Sequence, residues 1–140
     1  MQYSRRELCY MLPTILAMKA QASSKEPLPS RVYAFTALPV KGEGANEFRP
    51  VFEGKTHDGY PIELHETDLA PGSAPHPPHH HAHEEIFMVR EGSLTVTING
   101  HESSMGPGGV AYINSNDEHG IRNTGNTHAR YFVFALGQDH

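Results

Sequence analysis

Thiol chemistry is nearly absent from this chain. Of its 140 residues one is a cysteine, Cys9. A single thiol excludes a disulfide framework and a thiolate-rich metal site. Cys9 also lies in an N-terminal segment with the features of a removable signal. A chain starting near Ser23 would hold no cysteine and no cysteine nucleophile. Basic residues are few as well: Lys and Arg number 11 against 16 Asp and Glu, for a net charge of −5. No basic stripe is present, so nucleic acid is not an expected partner. No apolar run is long enough to anchor the chain stably across a bilayer. Long segments of helical periodicity are few. The helical zinc-protease pattern His-Glu-x-x-His does not occur.

Turn formers are plentiful, with 13 glycines and 11 prolines. Hydrophobic residues make up 37% and charged residues 19%, a globular balance rather than a disordered one. The length suits one domain with a modest core. Together these features predict an all-β protein with many turns.

The first residues, "MQYSRRELCYMLPTILAMKAQASS", follow the order of an export signal. Arg5 and Arg6 form a charged start, Leu8 to Met18 a mostly apolar stretch, and Ala20-Gln21-Ala22 a small-x-small site. "SRRELC" also resembles a twin-arginine signal, which carries proteins across a membrane already folded. Residues 1–22 are therefore expected to be a short helical export segment and 23–30 a linker. The remaining domain, 31–140, would be periplasmic or extracellular, without a stable membrane anchor after processing. Pro13 weakens the alternative of a packed amphipathic helix.

Beyond the linker, strand-like runs alternate with turns. Strands are predicted near Val32–Ala37, Arg49–Glu53, Ile62–Asp68, His79–His81, Glu85–Arg90, Ser93–Ile98, Glu102–Met105, Gly109–Ile113, His119–Asn123 and Arg130–Leu136. Asn99-Gly100 is the clearest hairpin turn. Many short, evenly spaced strands suggest a sandwich or barrel.

The stretch "PHPPHHHAHEEIFMVREG" stands out. Pro75, Pro77 and Pro78 keep it out of a helix and favour extended backbone. His79 and His81 then point one way and His80 the other. Glu85 follows past a turn, where its carboxylate can converge with the two imidazoles. Two imidazoles and a carboxylate suit a divalent first-row metal. His76, His80 and His83 read as flanking residues. His57, His101, His128 and His140 read as surface residues, the ordinary condition of a lone histidine.

This stretch resembles the first signature of the cupin superfamily, with His79, His81, Glu85 and Gly92 in its positions. The upstream glycine, Gly72, sits one residue farther off than usual. "GGVAYINSNDEHGIRN" is similar to the second signature through Gly108, His119 and Asn123. Its usual proline and glycine are replaced by Asn114 and Asn116, and Asn tolerates positive φ better than most residues. The resemblance spans roughly residues 60 to 137. It implies a double-stranded β-helix, the jelly-roll barrel, and a set of four ligands: His79, His81, Glu85 and His119. These would bind one divalent ion, iron or manganese ahead of nickel, zinc or copper, because a chain folded before export loads its metal inside the cell. Strand parity turns Glu85, Phe87 and Val89 inward and Ile86 and Met88 outward. Phe87, Tyr112, Phe132 and Phe134 are candidate pocket residues, though each could simply be core. Parity alone leaves His65 undecided.

Cupins with such ligands include dioxygenases, decarboxylases and isomerases. The resemblance thus implies a metal-dependent oxidoreductase or isomerase acting on a small organic molecule. The alternative is a non-catalytic protein that binds a metal, a sugar or an aromatic acid. Small cupins commonly form homodimers, often through an N-terminal strand. Residues 31–38, "RVYAFTAL", alternate well enough to supply one.

Overall fold

The computed structural model describes residues 26–138. The predicted export segment therefore lies outside the described residues. Nine strands follow one 3-10 turn at Phe35–Ala37. They are β1 (Lys41–Glu43), β2 (Asn46–Lys55), β3 (Pro61–Leu69), β4 (Glu84–Glu91), β5 (Leu94–Ile98), β6 (His101–Met105), β7 (Val110–Ile113), β8 (His119–Arg122) and β9 (Ala129–Leu136). A six-stranded sheet runs β1-β2-β3-β9-β4-β7, and a three-stranded sheet runs β6-β5-β8. All pairings are antiparallel. This is the all-β jelly-roll arrangement expected from the sequence. Among the described residues, no helix is long and apolar enough to cross a membrane.

The core is built from the inward residues of both sheets. Leu69, Phe87, Val89, Ile113, Tyr131 and Val133 from the larger sheet and Leu94, Val96 and Ile121 from the smaller one are buried. Alternation explains the set, because every second residue of each strand faces the opposing sheet. The turns are equally local in origin. Asn99 and Gly100 both have positive φ, 48° and 81°, as a two-residue hairpin between Ile98 and His101 requires. Gly92 has φ 76°, and a Cβ there would lie 2.5 Å from the carbonyl oxygen of His128. Only glycine fits that approach.

Three strand expectations need correction. Residues 31–38 form no strand: Arg31 to Ala34 are irregular and Phe35–Ala37 is a 3-10 turn. Aromatic and cationic contacts hold this arm on the barrel instead. Tyr33 packs on Phe52 at 5.7 Å, and Phe35 lies beneath the guanidinium groups of Arg49 (4.7 Å) and Arg90 (5.0 Å). Within its own chain the 31–38 segment therefore pairs with no strand. His79–His81 is likewise no strand; only His79 makes an isolated bridge, to His119. The "KGEGAN" stretch, read as a separator, contains β1 and the hairpin joining it to β2. Before it, Leu28 donates its N–H to the Lys55 carbonyl at 2.9 Å. The described part of the predicted linker therefore lies against β2.

Candidate metal centre

Four segments bring the candidate residues together. His119 opens β8, and it exchanges backbone hydrogen bonds with His79, at 3.0 and 2.8 Å. The histidine loop thereby becomes a short extension of the smaller sheet. Pro78 lies over Gly120, where a Cβ would come within 3.1 Å of its ring. The Asn116 N–H donates to the His81 carbonyl at 2.8 Å, which ties the loop before β8 to the histidine loop. Asn116 has φ 62°, so asparagine does adopt the left-handed conformation that the usual glycine would. Glu85 enters from the other side, on β4 of the larger sheet.

The side chains converge although His79–His81 is not a strand. His79, His81 and His119 offer ligand nitrogens that lie within 4.8 Å of one another. Glu85 Oε2 stands 3.2 Å from His119 Nε2 and 3.5 Å from His81 Nε2. Both contacts are close but lack hydrogen-bond geometry, and both Nε2 atoms are buried without a hydrogen-bond partner. Their tautomers are fixed from behind. His81 Nδ1 lies 2.9 Å from the His83 carbonyl, and His119 Nδ1 lies 2.9 Å from the Asp117 carbonyl. A carbonyl oxygen only accepts, so each Nδ1 carries the proton and each Nε2 presents a lone pair. Backbone carbonyls orient metal-bound imidazoles in this way. His79 Nδ1 is also buried and unpartnered.

Buried lone pairs beside a carboxylate are costly unless something cationic satisfies them. The donor set, three imidazoles and one carboxylate, matches a divalent first-row metal. The electrostatics agree. Burial pushes the Glu85 carboxyl up, but His119 and His81 outweigh it and hold it below the usual value. Burial lowers His119, yet the close Glu85 carboxylate and the Asp117 carbonyl raise it overall. Burial, then His76 and His119, lowers His79.

The flanking histidines are not idle. His80 is exposed, as parity required. His83 stacks on His81 at 3.6 Å between ring centres, and its Nε2 reaches Glu85 Oε1 at 3.4 Å. A second cluster of possible ligands, His81, His83 and Glu85, therefore overlaps the first. His76 packs edge-on against His79 at 4.2 Å. His128, read as a bare surface residue, pairs with Asp68 at 2.7 Å.

A cavity of about 430 Å³ opens beside Glu85 and His119. Phe87 lines it, as expected; Tyr112, Phe132 and Phe134 do not. Tyr112 is paired with outward-facing Ile86 and is 55% exposed. On β9 the inward residues are Tyr131 and Val133, while Phe134 points outward and meets Phe52 at 6.2 Å. His65 does line the cavity, with Glu63 and Thr67. Tyr131 is buried, which raises its phenol and keeps it protonated. Sequence reasoning also missed what Asn123 does. Its buried amide donates to the carbonyls of Leu69 and Thr127, both at 2.8 Å, and its oxygen accepts from Gly125 N–H at 3.0 Å.

Comparison with known proteins places this geometry in context. Residues 65–135 match the family described as the cupin domain. Among solved structures, the polyketide cyclase RemF from Streptomyces resistomycificus is similar, with 25% identity and a TM-score of 0.64 over 80% of this chain and 82% of that one. An RmlC-like cupin from Shewanella frigidimarina gives 16% identity and a TM-score of 0.64, over 78% and 93% of the two chains. A predicted oxalate decarboxylase from Thermotoga maritima gives 20% and 0.63, over 77% and 100%. No curated protein matches the chain.

Proposed function

The chain belongs to the cupin family, and from that premise we propose that it is a small metalloenzyme acting on an organic molecule. One divalent ion would be held by His79, His81, Glu85 and His119. The observation that carries this reading is the pair of buried, unpartnered Nε2 atoms of His81 and His119 beside the Glu85 carboxylate. Bound there, the ion would supply Lewis acidity or a place for dioxygen, as in dioxygenases, decarboxylases and isomerases. The cavity supplies room for a substrate of modest size, which favours turnover over simple metal storage. Phe87, Ile121 and Val133 give it apolar walls. Tyr131 offers it a protonated phenol. Two similar structures are described as a polyketide cyclase and a predicted oxalate decarboxylase, which fits a catalytic use of this barrel.

Iron or manganese is the favoured ion. That preference follows from the twin-arginine-like start, since loading would precede export. Export through residues 1–22 and a mature chain beginning near Ser23 belong to the same proposal. N-terminal sequencing of native protein decides that part: a retained Met1 would refute it. Turnover is tested by oxygen uptake and carbon dioxide release from metal-loaded protein with a panel of phenols and small acids. Oxygen uptake or carbon dioxide release above the metal-free control supports an enzyme. Stoichiometric binding without turnover across the panel would favour the non-catalytic alternative.

A further inference from the structure

The cavity contains a second histidine–carboxylate pair that the metal reading leaves unused. Glu63 and His65 are two residues apart on β3, so both face inward. His65 Nδ1 lies 3.0 Å from Glu63 Oε1. An ionised carboxylate only accepts, so this contact holds the proton on Nδ1 and leaves Nε2 as an acceptor. Across the sheet, Glu63 pairs with Ala135, and Ala135 with Glu85. Two strand spacings, ~10 Å, therefore separate the backbones of Glu63 and Glu85. A small molecule reaching Glu85 through the cavity has the His65–Glu63 pair on its other side.

The charge of the lining narrows what that molecule is. Besides His65, the ionisable groups facing the cavity are Glu47 on β2, Glu63 on β3, Glu85 on β4, His119 on β8, Tyr131 on β9 and His76 on the loop before β4. Among the described residues no lysine or arginine lines it. In the metal-free cavity a substrate carboxylate would find no guanidinium fork and would face like charges, with Lys41, 6.0 Å from the Phe48 ring, a cation near that wall. The remaining walls are aromatic and aliphatic, with Phe48 set edge-on to His65 at 5.8 Å.

We propose that the cavity binds an uncharged phenol and that His65, positioned by Glu63, accepts its hydroxyl proton. The inference rests on the proposed function in one respect, that the ring lies between this pair and Glu85. In the step, the phenol O–H bond breaks, the proton passes to His65 Nε2, and the electron pair stays on the phenol oxygen. Nothing is oxidised or reduced. Glu63 faces the imidazolium that forms, and its side chain, 48% exposed, opens a route for the proton to solvent.

The test uses the full chain, metal-free and metal-loaded, with 4-nitrocatechol as the probe, because its colour reports its own ionisation. Metal content is measured first for every variant. The expected result in the metal-free form is a bound probe that has lost its proton at a pH where the free probe still holds it, with equimolar benzoate unable to displace it. His65→Ala should keep the metal content of wild type and lose the colour shift in the metal-free form. Glu63→Gln should move the shift to higher pH, because the imidazolium loses its counter-charge, and Glu63→Asp should restore part of it. An unchanged spectrum in metal-free His65→Ala, or displacement by equimolar benzoate from the metal-free wild type, would overturn the proposal. A wild type that holds no metal would instead refute the metal reading, and the metal-free comparison of wild type with His65→Ala would still decide the role of His65.

Discussion

His119 is the residue on which the proton chemistry of the site turns. It lies 1% exposed, with Glu85 against one nitrogen and the Asp117 carbonyl against the other. Those partners raise its proton affinity above the ordinary 6.5, while burial and its neighbours lower that of His79. A metal must displace the His119 proton, so the two compete. The sign follows directly: a raised value means the proton is taken up first as pH falls, from above 6.5 downward. Apparent metal affinity should therefore decline on acidification, beginning above pH 6.5. Titration against a competing chelator between about pH 5 and 8 measures it. Affinity that stays flat down to pH 6 would show that His119 is not a ligand. Asn123 is a residue of a different kind: two of its hydrogen bonds brace the turn after β8 and the third ties that turn to the end of β3 at Leu69. Asn123→Ala would leave the buried Leu69 carbonyl, the Thr127 carbonyl and the Gly125 N–H without their side-chain partner and should cost about 2 kcal/mol in urea unfolding. A loss under about 1 kcal/mol would mean that water replaces the amide.

At the scale of elements, the sequence was most readable where one residue of a strand carries a functional assignment that fixes its inner face. Along β4, once Glu85 is taken as a ligand facing the interior, alternation puts Phe87 and Val89 inward and Met88 outward, and those three are buried, buried and exposed in turn. β9 reads "ARYFVFAL", apolar on both faces, so alternation could not say which face is inner. The outer face is apolar because Phe52 and the 26–38 arm cover part of this sheet, and a bulge in β2 between Pro50 and Phe52 turns Phe52 outward to meet Phe134. Neither the arm's path nor the bulge leaves a mark in the local pattern. The same holds for "RVYAFTAL", whose alternation suggested a strand; its Phe35 is instead captured by two arginines distant in sequence. Turns were legible because their chemistry is local. Gly92 is the sharpest case: Gly92→Ala combines positive φ with backbone contact at His128. It should cost more than ~2 kcal/mol and lower the thermal midpoint by several degrees. An unchanged midpoint would mean that the β4–β5 turn can shift away from β9.

For the whole molecule, the two sheets act as the two halves of a clamp. The smaller sheet, extended by the His79–His119 bridge, presents three imidazoles, and the larger presents Glu85. Metal binding would therefore join the sheets as well as fill the site, and removal of metal should lower thermal stability of the whole barrel. The homodimer stands as a proposal, and the outward face of β4 and β7 offers a second surface for it. Met88, Val110 and Tyr112 share the outward face of β4 and β7 and are 37%, 62% and 55% exposed. A second copy covering that face would bury them, so Val110→Asp should convert a dimer seen by light scattering into a monomer. A wild type that is monomeric at micromolar concentration would contradict it.

The central claim is that this barrel holds one divalent ion through a particular face of its histidine loop. His81 presents a buried lone pair to Glu85, whereas the neighbouring His80 is exposed and turned away. The most direct measurement is the metal content of His80→Ala and His81→Ala, purified side by side and compared with wild type by elemental analysis. About one ion per chain in wild type and His80→Ala, with a loss of at least tenfold in affinity in His81→Ala, is the predicted result. Metal retained by His81→Ala and lost by His80→Ala would contradict the ligand set and the register on which it depends.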